Sequence, residues 1–279
     1  MSTQIPLERS DETGTETAGG LVEIRPDLAY RRLMMVNVIF YGLPSAGAGN
    51  WVLIDAGVTG SAGAIRAAAE ARFGKDAPPS AIVLTHGHFD HVGVLETLAE
   101  DWDVPVYAHP LEHPYLDGSR SYPPADPSVG GGLMALLSPL FPTSPVDVGS
   151  RLRALPDDGT IPVMPGWCWI HTPGHTPGHV SLWREEDRTV IAGDAVITTG
   201  QESAYDVVIQ SPQMHGPPRY FTPDWQDAWA SVRKLAALEP ELVISGHGHA
   251  MQGADMRAAL HELAERFDKI AFPDRMQPG

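Results

Sequence analysis

Short apolar runs with glycine or proline at their borders recur along the chain and predict β-strands. The predicted strands are residues 36–41, 51–56, 81–85, 104–108, 167–171, 180–183, 189–192 and 242–245. Apolar residues at helical spacing predict helices at 61–73, 223–238 and 256–270. In the second helix we expect Thr222 to cap the N-terminus and Pro223 to lie in the first turn. This order of strands and helices predicts one α/β domain over residues 21–279.

Metal-binding residue types follow the predicted strand at 81–85 directly. The sequence Thr-His-Gly-His-Phe-Asp-His places His86, His88, Asp90 and His91 in one short loop. An extended backbone points His86 and His88 to the same side. Imidazole and carboxylate are the ligands that borderline metals such as zinc prefer. The loop therefore predicts a metal site.

Four other predicted strands lead to residues that could complete such a site. These residues are Asp55, His175, Asp194 and His247, each within two positions of a glycine. Glycine permits the close backbone approach that such sites need. Because residues at strand ends can converge in space, we expect these side chains to join the loop that carries His86.

These motifs, in this order, resemble the metallo-β-lactamase superfamily of hydrolases from about residue 36 to about residue 250. The resemblance implies an αββα sandwich of two mixed β-sheets with outer helices and a metal site at one edge. It implies two divalent cations, with zinc first and iron, manganese or cobalt as alternatives. The implied ligands are His86, His88 and His175 for one cation, Asp90, His91 and His247 for the other, and Asp194 as a bridge between them.

The resemblance also assigns roles to other residues of the motifs. Asp55 matches an aspartate that accepts an N–H from a ligand histidine and fixes its tautomer. His171 and His179 flank His175 and are expected to give structural or indirect support. Apart from the resemblance, His215 lies in a later loop, outside these motifs, that could reach the substrate pocket.

The expected chemistry is hydrolysis of a carbonyl compound. Two cations about 3.5–4 Å apart can share a water, lower its pKa toward neutrality and supply a bridging hydroxide that attacks the carbonyl. Asp90 or Asp194 could return a proton to the leaving group. Two alternatives to hydrolysis stay open. Some relatives with the same histidines bind one iron and oxidise a persulfide. The chain could also be a metal-retaining protein whose task is binding or regulation.

Asp194 narrows the substrate class, since cysteine-using β-lactamases have a thiolate ligand at that position. It favours the lactonase and glyoxalase-II branch, and thus a lactone or carboxylic ester. Acyl-homoserine-lactone lactonases often have a tyrosine where this chain has Ile197, although Tyr205 could substitute. Thioester and β-lactam hydrolysis stay as alternatives. The few basic residues near the end of the sequence argue against a dedicated glutathione site.

Composition excludes several other classes. The chain of 279 residues has 19 basic and 35 acidic residues, a net charge of −16 that argues against a nucleic-acid substrate. No apolar stretch approaches the roughly 20 residues of a membrane span. Residues 1–20 predict a disordered tail without the order of a signal peptide. The single cysteine, Cys168, excludes an internal disulfide and favours a cytoplasmic protein.

The segment at 110–165 has a different character from the rest. It is rich in proline, and it contains a glycine run and the apolar residues Leu133, Met134, Leu136, Leu137, Leu140 and Phe141. Long irregular connections of this kind are usually functional or disordered. We expect a lid or pocket wall that favours a substrate with a hydrophobic part, with a homodimer contact or plain core as alternatives.

Overall fold

Strands and helices alternate through residues 5–124, 146–200 and 211–273, the part of the chain that a computed structural model describes. The strands are β1 (Ile5–Pro6), β2 (Thr15–Thr17), β3 (Leu21–Arg25), β4 (Leu28–Leu33), β5 (Val36–Tyr41), β6 (Val52–Ile54), β7 (Ala81–Val83), β8 (Val106–Ala108), β9 (Leu152–Ala154), β10 (Trp167–His171), β11 (Val180–Arg184), β12 (Thr189–Gly193), β13 (Ile197–Thr199), β14 (Pro212–His215), β15 (Leu242–Ser245) and β16 (Met251–Gln252). The α-helices are α1 (Ala62–Phe73), α2 (Leu95–Trp102), α3 (His113–Leu116), α4 (Trp225–Ala237), α5 (Ala254–Glu265) and α6 (Phe267–Ile270).

The described residues form two compact units. We call residues 14–122 and 146–165 the N-terminal unit, and residues 5–13, 123–124, 166–200 and 211–273 the C-terminal unit. The prediction of one domain over residues 21–279 stays a prediction.

One sheet with the order β2-β3-β4-β5-β6-β7-β8-β9 forms the centre of the N-terminal unit. Its strands run antiparallel from β2 to β6 and parallel from β6 to β9. Helices α1 and α2 bury Ile65, Phe73 and Leu98 in the apolar core of this unit. The ring of Trp51 stacks on that of Phe73 at a centroid distance of 4.3 Å. This packing holds α1 against strands whose far ends carry candidate ligands.

Parallel pairing explains why those ligands meet within each unit. β6 pairs with β7 in parallel, so Asp55 and the loop at 85–91 leave the same edge of the sheet. In the C-terminal unit β12 pairs with β15 in parallel, which brings Asp194 and His247 to one edge. Residues far apart in the sequence therefore lie close together at one edge of each sheet.

The C-terminal unit contains two sheets. One has the order β10-β11-β12-β15-β16, and the other has the order β1-β14-β13. Helices α4, α5 and α6 supply Trp225, Val232, Leu260 and Phe267 to the apolar core of this unit. Within the described residues, no helix has both the length and the apolar character needed to cross a membrane.

The structure differs from the sequence predictions in the first twenty residues and at one helix start. The segment predicted as a disordered tail contains β1 and β2 in its described part, residues 5–20. Asp224, and not Thr222, caps α4, since its side chain accepts the N–H groups of Gln226 and Asp227. Thr222 is buried and serves the candidate site instead.

The segment at 110–165 is described only at its two ends. Its described residues include α3 and β9, which extends the large sheet, and the buried side chains of Leu116, Leu155 and Met164. These three side chains belong to the core, whereas the choice between a lid, a homodimer contact and plain core for the segment stays a prediction. The apolar cluster at 133–141, and with it the lid, lies outside the described residues, as does Tyr205.

Candidate metal centre

The loop at 85–91 folds into a tight turn that gathers its histidines. The carbonyl oxygen of His88 accepts the N–H groups of His91 at 2.9 Å and Val92 at 3.1 Å. His86 and His91 are fully buried, with ring centroids 4.2 Å apart. The ligand atoms of His86 lie within 4.8 Å of those of His88 and of His91, and those of Asp90 and His91 are equally close. Buried ligand atoms this close together can bind the same cation.

Asp55 fixes the orientation of two residues of this loop. One carboxylate oxygen, Oδ1, accepts the backbone N–H of Thr85 at 2.8 Å. The other, Oδ2, accepts the hydroxyl of Thr85 at 2.8 Å and lies 2.7 Å from Nδ1 of His91. Because a carboxylate only accepts, His91 carries its proton on Nδ1, and Nε2 is the atom that can bind a metal.

The same reasoning assigns the tautomer of His86. The hydroxyl proton of Thr85 is directed to Asp55, so Thr85 Oγ1 can only accept from Nδ1 of His86, 3.1 Å away. Nδ1 of His86 therefore carries the proton, and Nε2 is its ligand atom.

Glu112 and Tyr122 are site residues that sequence reasoning missed. The fully buried Glu112 carboxylate accepts the N–H of Gly87 at 2.8 Å and the hydroxyl of Tyr122. The Tyr122 ring packs edge-on against the ring of His88, with centroids 4.6 Å apart. Desolvation and the neighbouring Glu112 charge raise the pKa of Tyr122 well above its usual value, so the phenol stays a donor. A tyrosine 35 positions after Gly87 gives no local signal of this contact.

In the C-terminal unit, two histidines converge on one carboxylate oxygen. Asp194 Oδ2 lies 3.1 Å from Nε2 of His247 and 3.4 Å from Nε2 of His175, and all three side chains are buried. Two ligands about 2.0–2.1 Å from one tetrahedral zinc are about 3.3 Å apart. The observed distances therefore fit coordination of cations on both sides of Asp194.

Thr222, predicted as a helix cap, determines the tautomer of His175. Its hydroxyl donates to the carbonyl oxygen of Pro218 at 2.8 Å. Its oxygen can then only accept from Nδ1 of His175, 3.2 Å away. Nε2 of His175 consequently faces Asp194 as a ligand atom. His86, His91 and His175 thus share one arrangement, an Nδ1–H held by a neighbouring oxygen, which is typical of metal-binding histidines.

The remaining histidines have other surroundings. His179 is buried and its Nε2 accepts the backbone N–H of Asp194 at 2.9 Å. Nε2 of His171 lies 2.9 Å from the carbonyl oxygen of Pro177. His215 is buried on β14, with Nδ1 2.8 Å from the carbonyl oxygen of Gly216. His249 lies 3.4 Å from the Glu12 carboxylate.

Cys168 lies on β10 and packs against the apolar core of the C-terminal unit. Burial, with a smaller contribution from Glu185, raises the pKa of this thiol above its usual value. A thiol that resists ionisation is a poor metal ligand.

Comparisons with known proteins point to a family that the chain resembles. A family model described as the metallo-beta-lactamase superfamily matches residues 31–247. The probable metallo-hydrolase YflN of Bacillus subtilis strain 168 is 52% identical over 238 residues, covering 85% of this chain and 90% of that protein. A hydroxyacylglutathione hydrolase of Cereibacter sphaeroides is 26% identical over 64% of this chain and 52% of its own length.

A solved structure confirms the fold class. The beta-lactamase domain protein from Burkholderia ambifaria superposes with a TM-score of 0.60 at 21% identity, covering 95% of this chain and 80% of that one. At such an identity the likeness shows the α/β metallo-β-lactamase fold and no specific activity.

Proposed function

Because the chain belongs to the metallo-β-lactamase superfamily, we propose that it is a dinuclear metal-dependent hydrolase of a lactone or carboxylic ester with a hydrophobic part. The observation that carries the proposal is the pair of distances at Asp194 Oδ2, 3.1 Å to His247 and 3.4 Å to His175. A carboxylate oxygen that faces two ligand imidazoles is what a bridging residue requires.

We assign the ligands as the family motifs imply. His86, His88 and His175 would hold the first cation, Asp90, His91 and His247 the second, and Asp194 both. Zinc is the proposed metal because the donors are imidazole and carboxylate, with iron, manganese and cobalt as alternatives.

Bound divalent cations would polarise the substrate carbonyl and lower the pKa of water toward neutrality. The protein's own residues hold that arrangement in place. Asp55 orients His91, Thr85 orients His86, and Thr222 orients His175. In the proposal Asp90 or Asp194, both buried, takes a proton from the attacking water and passes it to the oxygen of the leaving alcohol.

The last helices support an ester or lactone over a glutathione thioester. Arg257 on α5 pairs with Glu241, and Arg266 pairs with Glu262. These exposed pairs are weak, so the support comes from the small number of basic residues on these helices. A glutathione site would need such basic groups for the carboxylates of the tripeptide.

The test is acid release from a medium-chain acyl lactone by the zinc-loaded protein, with a chelator-treated sample as the control. We expect fast release that the chelator abolishes. His88→Ala should lose bound zinc and lower kcat/KM by about 10³-fold or more, since a ligand of the catalytic cation is removed. A variant that keeps two metals and the full rate would overturn the assignment.

Thioester hydrolysis is the second candidate, because the matched Cereibacter protein is named as a hydroxyacylglutathione hydrolase. Assaying a glutathione thioester and a cephalosporin under identical conditions ranks the three carbonyl classes by kcat/KM. Metal analysis separates hydrolysis from oxidation: two zincs per chain support the hydrolase, and a single iron with persulfide oxidation contradicts it.

A further inference from the structure

A chain of hydrogen bonds leads from the backbone of Asp194 into the interior of the C-terminal unit. Nε2 of His179 accepts the N–H of Asp194 at 2.9 Å, and Nδ1 of His179 lies 2.9 Å from Thr172 Oγ1. Thr172 Oγ1 lies 3.0 Å from Ser181 Oγ, which donates to the carbonyl oxygen of Ala192 at 2.9 Å. Thr172, His179 and Ser181 are at most 1% exposed, so the chain is shielded from water.

Only one direction of donation satisfies every member of this chain. A backbone N–H can only donate, so Nε2 of His179 is an acceptor and Nδ1 carries the single ring proton. That proton goes to Thr172, whose own hydroxyl proton then goes to Ser181. Ser181 completes the sequence by donating to Ala192. The tautomer of His179 is thus determined by its surroundings.

The strand ladder explains why Asp194 needs this partner. The pairing of β12 with β15 shifts its register between Ile191 and Gly193. Gly193 has a left-handed backbone, with φ of 54°, and the chain leaves the strand there. The ladder therefore does not hold the next N–H, and the imidazole of His179 holds it in place of a strand partner.

We propose that His179 is a positioning residue for the bridging carboxylate. This inference rests on the proposed function in one respect, the role of Asp194 as a bridge between the two cations. Holding the backbone N–H restrains the backbone from which the Asp194 side chain extends, and so helps to keep Oδ2 between His175 and His247. Thr172 and Ser181 contribute by keeping the acceptor nitrogen of His179 turned toward Asp194.

Two substitutions of His179 separate this role from simple packing. In His179→Gln the amide oxygen stands near the place of Nε2 and can still accept the Asp194 N–H. In His179→Asn the amide stands near Nδ1, so it can reach Thr172 but not Asp194. Both variants lose the ring, and His179→Asn also lacks one methylene of His179→Gln, so the unfolding temperatures of the metal-free proteins report that packing difference separately.

The readout is zinc affinity, measured by competition with a chromophoric chelator, together with thermal unfolding of the metal-free proteins. We expect His179→Gln to bind zinc close to the parent, and His179→Asn to bind about 10–100-fold more weakly. Equal zinc affinities for the two variants would overturn the proposal, because a packing role would lower their unfolding temperatures and leave the affinities alike.

A second pair of variants decides the matter if the ring replacements fail to fold. Thr172→Val removes the acceptor of the Nδ1 proton, and Thr172→Ser retains it. We expect weaker zinc binding for Thr172→Val alone. Equal zinc binding by Thr172→Val and Thr172→Ser would contradict the proposal.

Nitrogen NMR of the full-length parent protein should show His179 protonated on Nδ1, and protonation on Nε2 would contradict the proposal directly.

These measurements are independent of turnover. A parent that binds zinc but hydrolyses none of the three carbonyl classes removes the proposed reaction and leaves the zinc comparison standing. A parent that hydrolyses lactones while His179→Asn binds zinc as tightly as His179→Gln removes the positioning role alone.

Discussion

Two buried carboxylates hold the loop at 85–91 from different positions in the chain. Asp55 binds the loop at Thr85 and His91, and Glu112 binds it at Gly87, between His86 and His88. Neither side chain is more than 1% exposed. Moving a carboxylate out of water costs free energy unless donors replace the water. The N–H and O–H groups of the loop supply those donors, and in return the two carboxylates hold the loop in its geometry.

Glu112 provides a prediction at this scale. Glu112→Leu should lower zinc affinity about tenfold, because the N–H of Gly87 loses its charged acceptor and the loop can shift. Glu112→Gln keeps an acceptor and should lose less. Chelator competition measures both variants, with the unfolding temperature of the metal-free protein as the control. Zinc binding by Glu112→Leu at the parent's strength would contradict the role.

Residues that support the ligands are harder to predict from the sequence than the ligands themselves. The motif histidines could be predicted because metal-ligand types cluster at the ends of apolar runs. Thr222 could not, because its sequence context, before a proline and an apolar helical pattern, also suits a helix cap. Its contact with His175 exists only once α4 packs beside the loop.

The loop before His175 approaches α4 closely at Gly174. A Cβ atom built on this glycine would lie 2.3 Å from the backbone nitrogen of Ala228 in α4, and its φ is 124°. The carbonyl oxygen of Gly174 also accepts the N–H of Asp224, the cap of α4, at 3.2 Å. Loop and helix therefore act as one element that presents His175.

Gly174→Ala should lower the free energy of unfolding by about 2–4 kcal/mol, since backbone atoms on both sides would have to move. Gly166→Ala is the matched control. Gly166 also has a positive φ, 83°, but a Cβ there meets open space, so about 1 kcal/mol is expected. Chemical denaturation measures both. Equal losses would show that backbone conformation, and not the contact with α4, requires the glycine.

Element by element, the sequence predicted best where strands are short and buried. The apolar runs that became β6, β7, β12 and β15 are buried and end at the motifs. β3 and β4 were missed because Arg25, Arg31 and Arg32 interrupt their apolar pattern. These side chains lie half-buried on strands of a mostly antiparallel region, where polar residues are tolerated.

At the scale of the whole molecule, the first residues of the chain complete the C-terminal unit. β1 pairs with β14, and Glu12 forms a bridge with Met251. Ile5 and Leu7 are buried in the core of that unit. A segment read as a tail from its polar composition is therefore part of a sheet, because pairing partners far away in sequence leave no local signal.

Leu7→Ala should accordingly lower the free energy of unfolding by about 2–3 kcal/mol through lost burial and a residual cavity. Arg9→Ala is the control, because 63% of the Arg9 side chain is exposed and little change is expected. Denaturant titration of both variants checks the difference. A neutral Leu7→Ala would mean that burial of this side chain adds nothing to stability.

The pairing of β1 with β14 has a consequence for synthesis of the chain. β1 leaves the ribosome long before β14 and Met251 do. The N-terminal unit pairs its strands in chain order from β2 to β9, so it can fold while translation continues. The apolar side chains of Ile5 and Leu7 must wait for their partners, which makes this segment a natural target for chaperones that bind nascent chains.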